Sequence, residues 1–242
     1  MLNDNEKSGL SQGQNTVKAA GGDRVNEFFQ KNRKGILITI GIIVILLIGL
    51  IVFLSVRDSM EKKAIAEVER FIEEYEKLRN NINDEQYTDE VNDFLAKLES
   101  FAGGKKGFAA SRAWAISAGI YSGREDWARA EEAWVNSAHA GEKTYLGPVA
   151  YFQAAIAAEE QNKIEIAIEY FKKCTSHSFE FTDAPRAQFN IGRLYEQLGN
   201  KALAIEAYRA VLLNYQWEND SFNQANFIWH NFARNRIIVL EM

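Results

Sequence analysis

Residues 114–134 read WAISAGIYSGREDWARAEEAW, residues 151–171 read YFQAAIAAEEQNKIEIAIEYF, and residues 188–208 read QFNIGRLYEQLGNKALAIEAY. Set beneath one another, the three stretches agree in residue class at fixed positions. An alanine recurs at Ala130, Ala167 and Ala204, so that 167 − 130 = 37 and 204 − 167 = 37. An aromatic stands four places later each time (Trp134, Phe171, Tyr208), and a small residue stands twelve places earlier (Ala118, Ala155, Gly192). The two prolines, Pro148 and Pro185, also lie 37 apart. Four classes of position on one period mark a single supersecondary unit used three times. Such a unit buries its apolar face only by stacking on its neighbours. With only 2 prolines in 242 residues, helices are the leading reading. Between packed helices, small side chains allow close approach, and aromatics wedge into the gap left by a neighbouring unit. Proline lacks an N–H, and the first turn of a helix leaves its N–H groups unbonded. Pro148 and Pro185 therefore read as the starts of the following helices.

With Trp114, Ala118 and Tyr121 in the first unit, and Ile191, Gly192, Tyr195, Gly199, Ala204 and Tyr208 in the third, the pattern resembles the tetratricopeptide repeat (TPR). The signature of that family runs W-x2-L-G-x2-Y, then an Ala, an aromatic and a Pro, with a usual period of about 34 residues. The resemblance implies an all-α solenoid that binds polypeptides in a concave trough. In that family the trough is lined by the second, fifth, ninth and twelfth positions of each first helix. Carried onto this sequence, these are Arg112, Ala115, Gly119 and Ser122, then Val149, Phe152, Ile156 and Glu159, then Arg186, Phe189, Arg193 and Glu196. The expected partner-binding set is Arg112, Val149, Phe152, Ile156, Glu159, Arg186, Phe189, Arg193 and Glu196. Its apolar members would supply area and its arginines would fix the register of an extended or helical peptide. Phe152, Ile156 and Phe189 read equally as side chains that merely pack against the next unit. Ala115 and Gly119 stand where members that grip a C-terminal carboxylate need Lys and Asn, which argues against that ligand.

Upstream, Ile65, Val68, Ile72 and Tyr75 form one helical stripe within residues 60–79, and Val91, Phe94, Leu95 and Leu98 form another within 88–101. Together they read as a degenerate repeat. Taken instead as a seam, the first stripe would join two copies as a homodimer through residues 60–79. Downstream, Phe222, Ala225, Ile228, Trp229 and Phe232 predict a last helix that caps the stack, since an uncapped solenoid leaves an apolar face in water.

From Gly35 to Val56 the sequence is GILITIGIIVILLIGLIVFLSV, with no charge in 22 residues. At ~1.5 Å per residue such a helix matches the ~30 Å hydrocarbon core of a bilayer. The 34 residues before it, its length, and its exit through Phe53-Leu54-Ser55-Val56-Arg57 favour an uncleaved anchor over a signal peptide. Lys31, Arg33 and Lys34 border its start without an acid among them, whereas Arg57, Lys62 and Lys63 are mixed with Asp58 and Glu61. The positive-inside rule then predicts a single-pass protein with residues 1–34 in the cytoplasm and residues 57–242 outside it. VRDSME holds no Gly or Pro, so the first helix should continue past the span.

Composition narrows the function. A net charge of −5 disfavours a nucleic-acid surface. The single cysteine, Cys174, excludes an internal disulfide and a multi-cysteine metal site. Its place in the repeat predicts a buried, inert thiol. His139, His177 and His230 show no ligand spacing, and the first two read as surface residues. The pairs Glu73-Glu74, Glu131-Glu132 and Glu159-Glu160 point ~100° apart on a helix and read as solvated faces. No catalytic constellation, cofactor site or metal site is predicted.

The sequence thus predicts an all-α protein: a flexible cytoplasmic tail (1–34), a transmembrane helix (35–56), a linker helix with a degenerate repeat (57–110), and a TPR-like solenoid with a cap (111–242). Its layout resembles the single-span ancillary subunit of the bacterial Sec translocon, which carries a periplasmic TPR domain. That resemblance implies a membrane-anchored adaptor for protein partners, set in the inner (cytoplasmic) membrane with its C-terminal domain periplasmic. An envelope-assembly or division scaffold and a periplasmic holdase chaperone are the alternatives.

Overall fold

The computed structural model describes residues 15–81, 84–177, 181–215 and 224–242. Among them the regular structure is helical and no strand occurs. The helices are α1 (Asn15–Asn81), α2 (Asp84–Ala102), α3 (Phe108–Gly123), α4 (Trp127–Ala140), α5 (Leu146–Glu160), α6 (Ile164–Thr175), α7 (Ala184–Gln197), α8 (Lys201–Asn214) and α9 (Gln224–Glu241). The chain divides into two units, Met1–Ser59 and Met60–Met242.

In the first unit, the described residues are the beginning of α1. Within Gln30–Asn80 lies a window long and apolar enough to cross a membrane, with a mean hydropathy of 3.4 and none of it buried. From Leu37 to Val56 its aliphatic side chains are bare, from 47% exposed at Val44 to 70% at Ile45. The Thr39 hydroxyl donates to the Gly35 carbonyl at 3.0 Å, so this polar group carries its own partner. The helix already starts at Asn15, where the sequence predicted an irregular tail. A formed helix adds residues at one hydrogen bond each, and that outweighs a weak local preference. Residues 1–14 of that tail lie outside the described residues.

The second unit opens with residues 60–81 of α1, whose apolar stripe is covered within the same chain. Val68 is buried with Val91, Phe94, Leu95 and Leu98 of α2, and Ile65, Ile72 and Tyr75 pack against them. Phe71 meets Phe94 and Phe101 edge-on at 6.1 and 5.6 Å, and Tyr75 stacks on Phe94 at 5.5 Å. This corrects the reading of residues 60–79 as a homodimer seam: α2 occupies the face that a second copy would need. The two stripes are the two sides of one intramolecular interface.

Three hairpins follow, α3/α4, α5/α6 and α7/α8, each helix packed on the next, and α9 rests on α8 and α7. The period of 37 is visible in the backbone. Glu125, Asn162 and Gly199 hold positive φ values of 59°, 58° and 72° at the turn inside each hairpin. One residue later, the N–H groups of Asp126, Lys163 and Asn200 donate back to the carbonyls of Tyr121, Ala158 and Tyr195 at 3.0, 2.9 and 2.8 Å. These bonds close the end of each first helix and turn the chain back on itself. Pro148 and Pro185 sit in the first turns of α5 and α7. The small-residue rule is explicit at Gly192, where an added Cβ would lie 2.6 Å from a Tyr208 ring carbon.

Two outcomes follow for full-length protein in detergent, read by urea denaturation. Gly192→Ala should lower stability by about 1–3 kcal/mol, because a methyl group is forced against an aromatic ring in a filled core. Glu125→Gly should raise stability by up to ~1 kcal/mol, because a β-carbon is removed from a left-handed position.

Candidate functional site

The first helices α3, α5 and α7 carry the twelve positions assigned to the trough. Their polar members are held by the molecule itself. The second-helix aromatic explains how. In the first hairpin the Trp134 indole N–H donates to Ser122 Oγ at 3.3 Å. In the third, the Tyr208 hydroxyl donates to Glu196 Oε1 at 2.5 Å. Ser122 and Glu196 are equivalent positions 2 × 37 = 74 residues apart. The second hairpin has Phe171 there, which has nothing to donate. Its trough carboxylate, Glu159, turns instead to Arg193 and accepts two guanidinium bonds at 2.7 and 2.6 Å. That pairing raises the Arg193 pKa.

Glu196 also receives Arg236 from α9, through Nε at 3.0 Å and through Nη2. The guanidinium, with the Tyr208 hydroxyl, holds the Glu196 carboxyl below its ordinary pKa. At the other end of the trough, Arg112 pairs with Glu69 at 2.9 Å. Four of the nine expected contact residues, Arg112, Glu159, Arg193 and Glu196, are thus already in ion pairs.

Phe152 needs correction. It is only 3% exposed and packs against Phe171 and Phe181 at 5.3 and 5.6 Å. It is floor rather than surface, because the fifth position of α5 points into the junction with the next hairpin. Phe189 is half-buried against Tyr208, Trp229 and Phe232, at 5.1, 5.4 and 6.0 Å. The surface that remains is Val149 and Ile156, both half-buried, and Arg186, which is exposed. The Arg186 guanidinium lies over the rings of Phe152 and Trp229, at 5.0 and 6.0 Å. Among the described residues it meets rings and no carboxylate.

Sequence reasoning missed what α9 brings to this face. Trp229 and Arg236 meet Phe189 and Glu196 of α7, and no repeat alignment placed them there. It also misread Glu131 as solvated. Glu131 is 8% exposed and accepts from Gln161, Lys163 and Tyr170 at 2.8, 2.8 and 3.1 Å. Burial and this carboxylate push the Tyr170 pKa up to about 12. The cluster ties α4 to the following hairpin beside a depression of about 260 Å³ on the second-helix side.

Cys174 is buried, and burial pushes its thiol pKa up. His139 is exposed, as predicted, but His177 is partly buried and burial lowers its pKa. Among the described residues no group of three His, Cys, Asp or Glu side chains is placed to hold a metal ion.

A tetratricopeptide-repeat family model matches residues 148–177 and 185–214, the second and third hairpins. The chain is also 32% identical over 203 residues to a "TPR repeat-containing protein" of Treponema pallidum (strain Nichols), an alignment spanning 76% of this chain and 83% of that relative.

The Glu196 contacts give a pH prediction. A carboxylate whose pKa is lowered on folding contributes stability in full above its unfolded value. It loses that contribution as pH falls through the folded value. Trp229 fluorescence should therefore report loosening of α9 only below the ordinary Glu value of 4.5. Glu196→Gln should flatten that acid limb and lower stability at neutral pH. An acid limb unchanged in the variant would place the titration elsewhere.

Proposed function

Because this chain belongs to the TPR repeat-containing proteins, whose solenoids present concave binding surfaces, we propose that it is a membrane-anchored adaptor holding a polypeptide segment in the trough of α3, α5 and α7. The observation that carries this reading is the division of labour among the trough residues. Their carboxylates are neutralised internally, Val149 and Ile156 remain partly exposed, and Arg186 is exposed. A surface with two aliphatic anchors and one arginine laid on aromatic rings gives a peptide area, a register point and little competing charge.

The anchor is the stretch Gly35–Val56 of α1. The basic cluster Lys31, Arg33 and Lys34 supports an N-terminus in the cytoplasm, with residues 57–242 on the outer side of the inner membrane. What supports a place beside the Sec translocon is the layout: a short N-terminal segment, one span, then an acidic repeat domain. A partner emerging from a translocon is an extended polypeptide, which is the shape that a trough of first helices accepts.

Two measurements test the proposal. In a Cys174→Ala background, Glu142→Cys should react with a membrane-impermeant maleimide on intact spheroplasts. Asn5→Cys should react only after permeabilisation, and the reverse pattern would invert the topology. Val149→Asp with Ile156→Asp should reduce co-purification of a stoichiometric partner from solubilised membranes at least tenfold, with helicity unchanged. Undiminished recovery would remove the trough from the proposal.

A further inference from the structure

Three stretches of the second unit meet at one end of its stack: residues 60–63 of α1, residues 103–108 and residues 140–146. The Ala109 N–H, in the first turn of α3, donates to Glu61 Oε1 at 3.4 Å. Gly107 leaves room for that carboxylate, since an added Cβ would lie 3.1 Å from Glu61 Oε2. The Gly107 N–H donates to the carbonyl of Ala140, the last residue of α4, at 2.8 Å. Phe108 then meets Tyr145, from the α4–α5 connection, at 5.7 Å. Lys62, Lys63, Lys105, Lys106 and Lys143 are all exposed here. Among the described residues Lys63, Lys105, Lys106 and Lys143 enter no ion pair, and Lys105 lies over the Phe101 ring at 4.0 Å. Of the acids within these three stretches, Glu61 is turned inward and Glu142 is exposed. Tyr145 is 58% exposed beside them. At the opposite end Arg124, Arg129 and Lys163 are held by Asn92, Asp126 and Glu131, and Lys201 is exposed. A lysine-rich end stands out on a chain whose net charge is −5.

We infer that this end of the second unit docks on anionic phospholipid headgroups of the bilayer that anchors the chain. The inference rests on the reading of Gly35–Val56 as the anchor. Glu61 stands five positions beyond Val56, and an extended chain covers at most ~3.6 Å per residue. Glu61 therefore lies within ~18 Å of the end of the apolar stretch, whatever path the chain takes between them. Connectivity alone keeps these lysines close to a membrane surface. Lysine suits such a boundary, because its stem lies along apolar surface while its ammonium reaches a phosphate. Lys105 on Phe101 already has that posture. Tyrosine favours the same boundary, with its ring toward lipid and its hydroxyl in water. The attraction is electrostatic, so it grows with the negative charge of the lipid and fades with salt.

The test uses the full chain with Cys174→Ala in lipid nanodiscs, made of phosphatidylcholine alone or mixed with phosphatidylglycerol. A fluorophore sits on Glu142→Cys at this end or on Glu160→Cys near the opposite end, and a nitroxide on the lipid headgroups quenches it. Tethering alone brings position 142 near the bilayer, so lipid charge is the deciding variable. Quenching at 142 should rise about twofold with phosphatidylglycerol, and that at 160 should barely change. Lys105→Glu with Lys106→Glu should abolish the rise, and Lys105→Gln with Lys106→Gln should reduce it, with helicity by circular dichroism unchanged. Equal quenching at 142 in the two kinds of disc overturns the inference, as does a full rise in the Glu variant. So does release by sodium phosphate that sodium chloride of equal ionic strength does not match, which would assign the lysines to a soluble phosphate. Failure of the chain to enter discs at all would remove the anchor reading, and this inference with it.

Discussion

The solenoid depends on how closely two helices of a hairpin can approach. At Gly192 the gap to Tyr208 does not accommodate even a β-carbon. Ala118 and Ala155 are wholly buried at the equivalent positions of the other hairpins. Close approach lets the aromatic of the second helix reach across the first, and from there the consequences spread. The aromatic fills the interior, and where it bears a donor it also fixes the polar residue at the rim of the trough. The left-handed residue at each turn and the bond one residue later keep the two helices in this register. A solenoid has few long-range contacts to correct an error, so each hairpin must set its own geometry.

The trough inherits its character from that arrangement. An unpaired carboxylate facing a peptide would impose a charge requirement on the partner. Glu159 and Glu196 impose none, because Arg193, Arg236 and Tyr208 already engage them. These pairs lie at a partly exposed surface, where an ion pair contributes little to stability. Their larger effect is to hold side chains in place and to hide charge. Arg186, held over aromatic rings, is the cation left facing outward within this set.

The helices and their order were legible in the sequence because they follow from periodicity. The first hairpin is the clearest instance. The family match covers the second and third hairpins, whereas the first follows from Ala118, Ala130 and Trp134 standing on the same 37-residue beat. Direction within a helix was less legible. Phe152 and Ile156 are both apolar and four residues apart, yet one is floor and the other surface. The difference comes from how the next hairpin leans on α5, which a single sequence does not encode locally. Glu131 was misread for a related reason. Its partners Gln161, Lys163 and Tyr170 lie 30 to 39 residues away, so nothing beside it in the chain signalled burial. The repeat alignment assigned α9 no register, and the contacts of Trp229 with Phe189 and of Arg236 with Glu196 came only from the structure. Phe222, expected in the last helix, lies outside the described residues.

The most direct measurement of the central claim is site-specific photocrosslinking in intact membranes. A photoreactive amino acid is placed at Ile156 in the trough and, in parallel, at Ile166 on the exposed side of α6. The account predicts a discrete crosslinked polypeptide from position 156 and none from position 166. Equal yields from the two positions, or none from 156 while the protein is folded and membrane-bound, would contradict it.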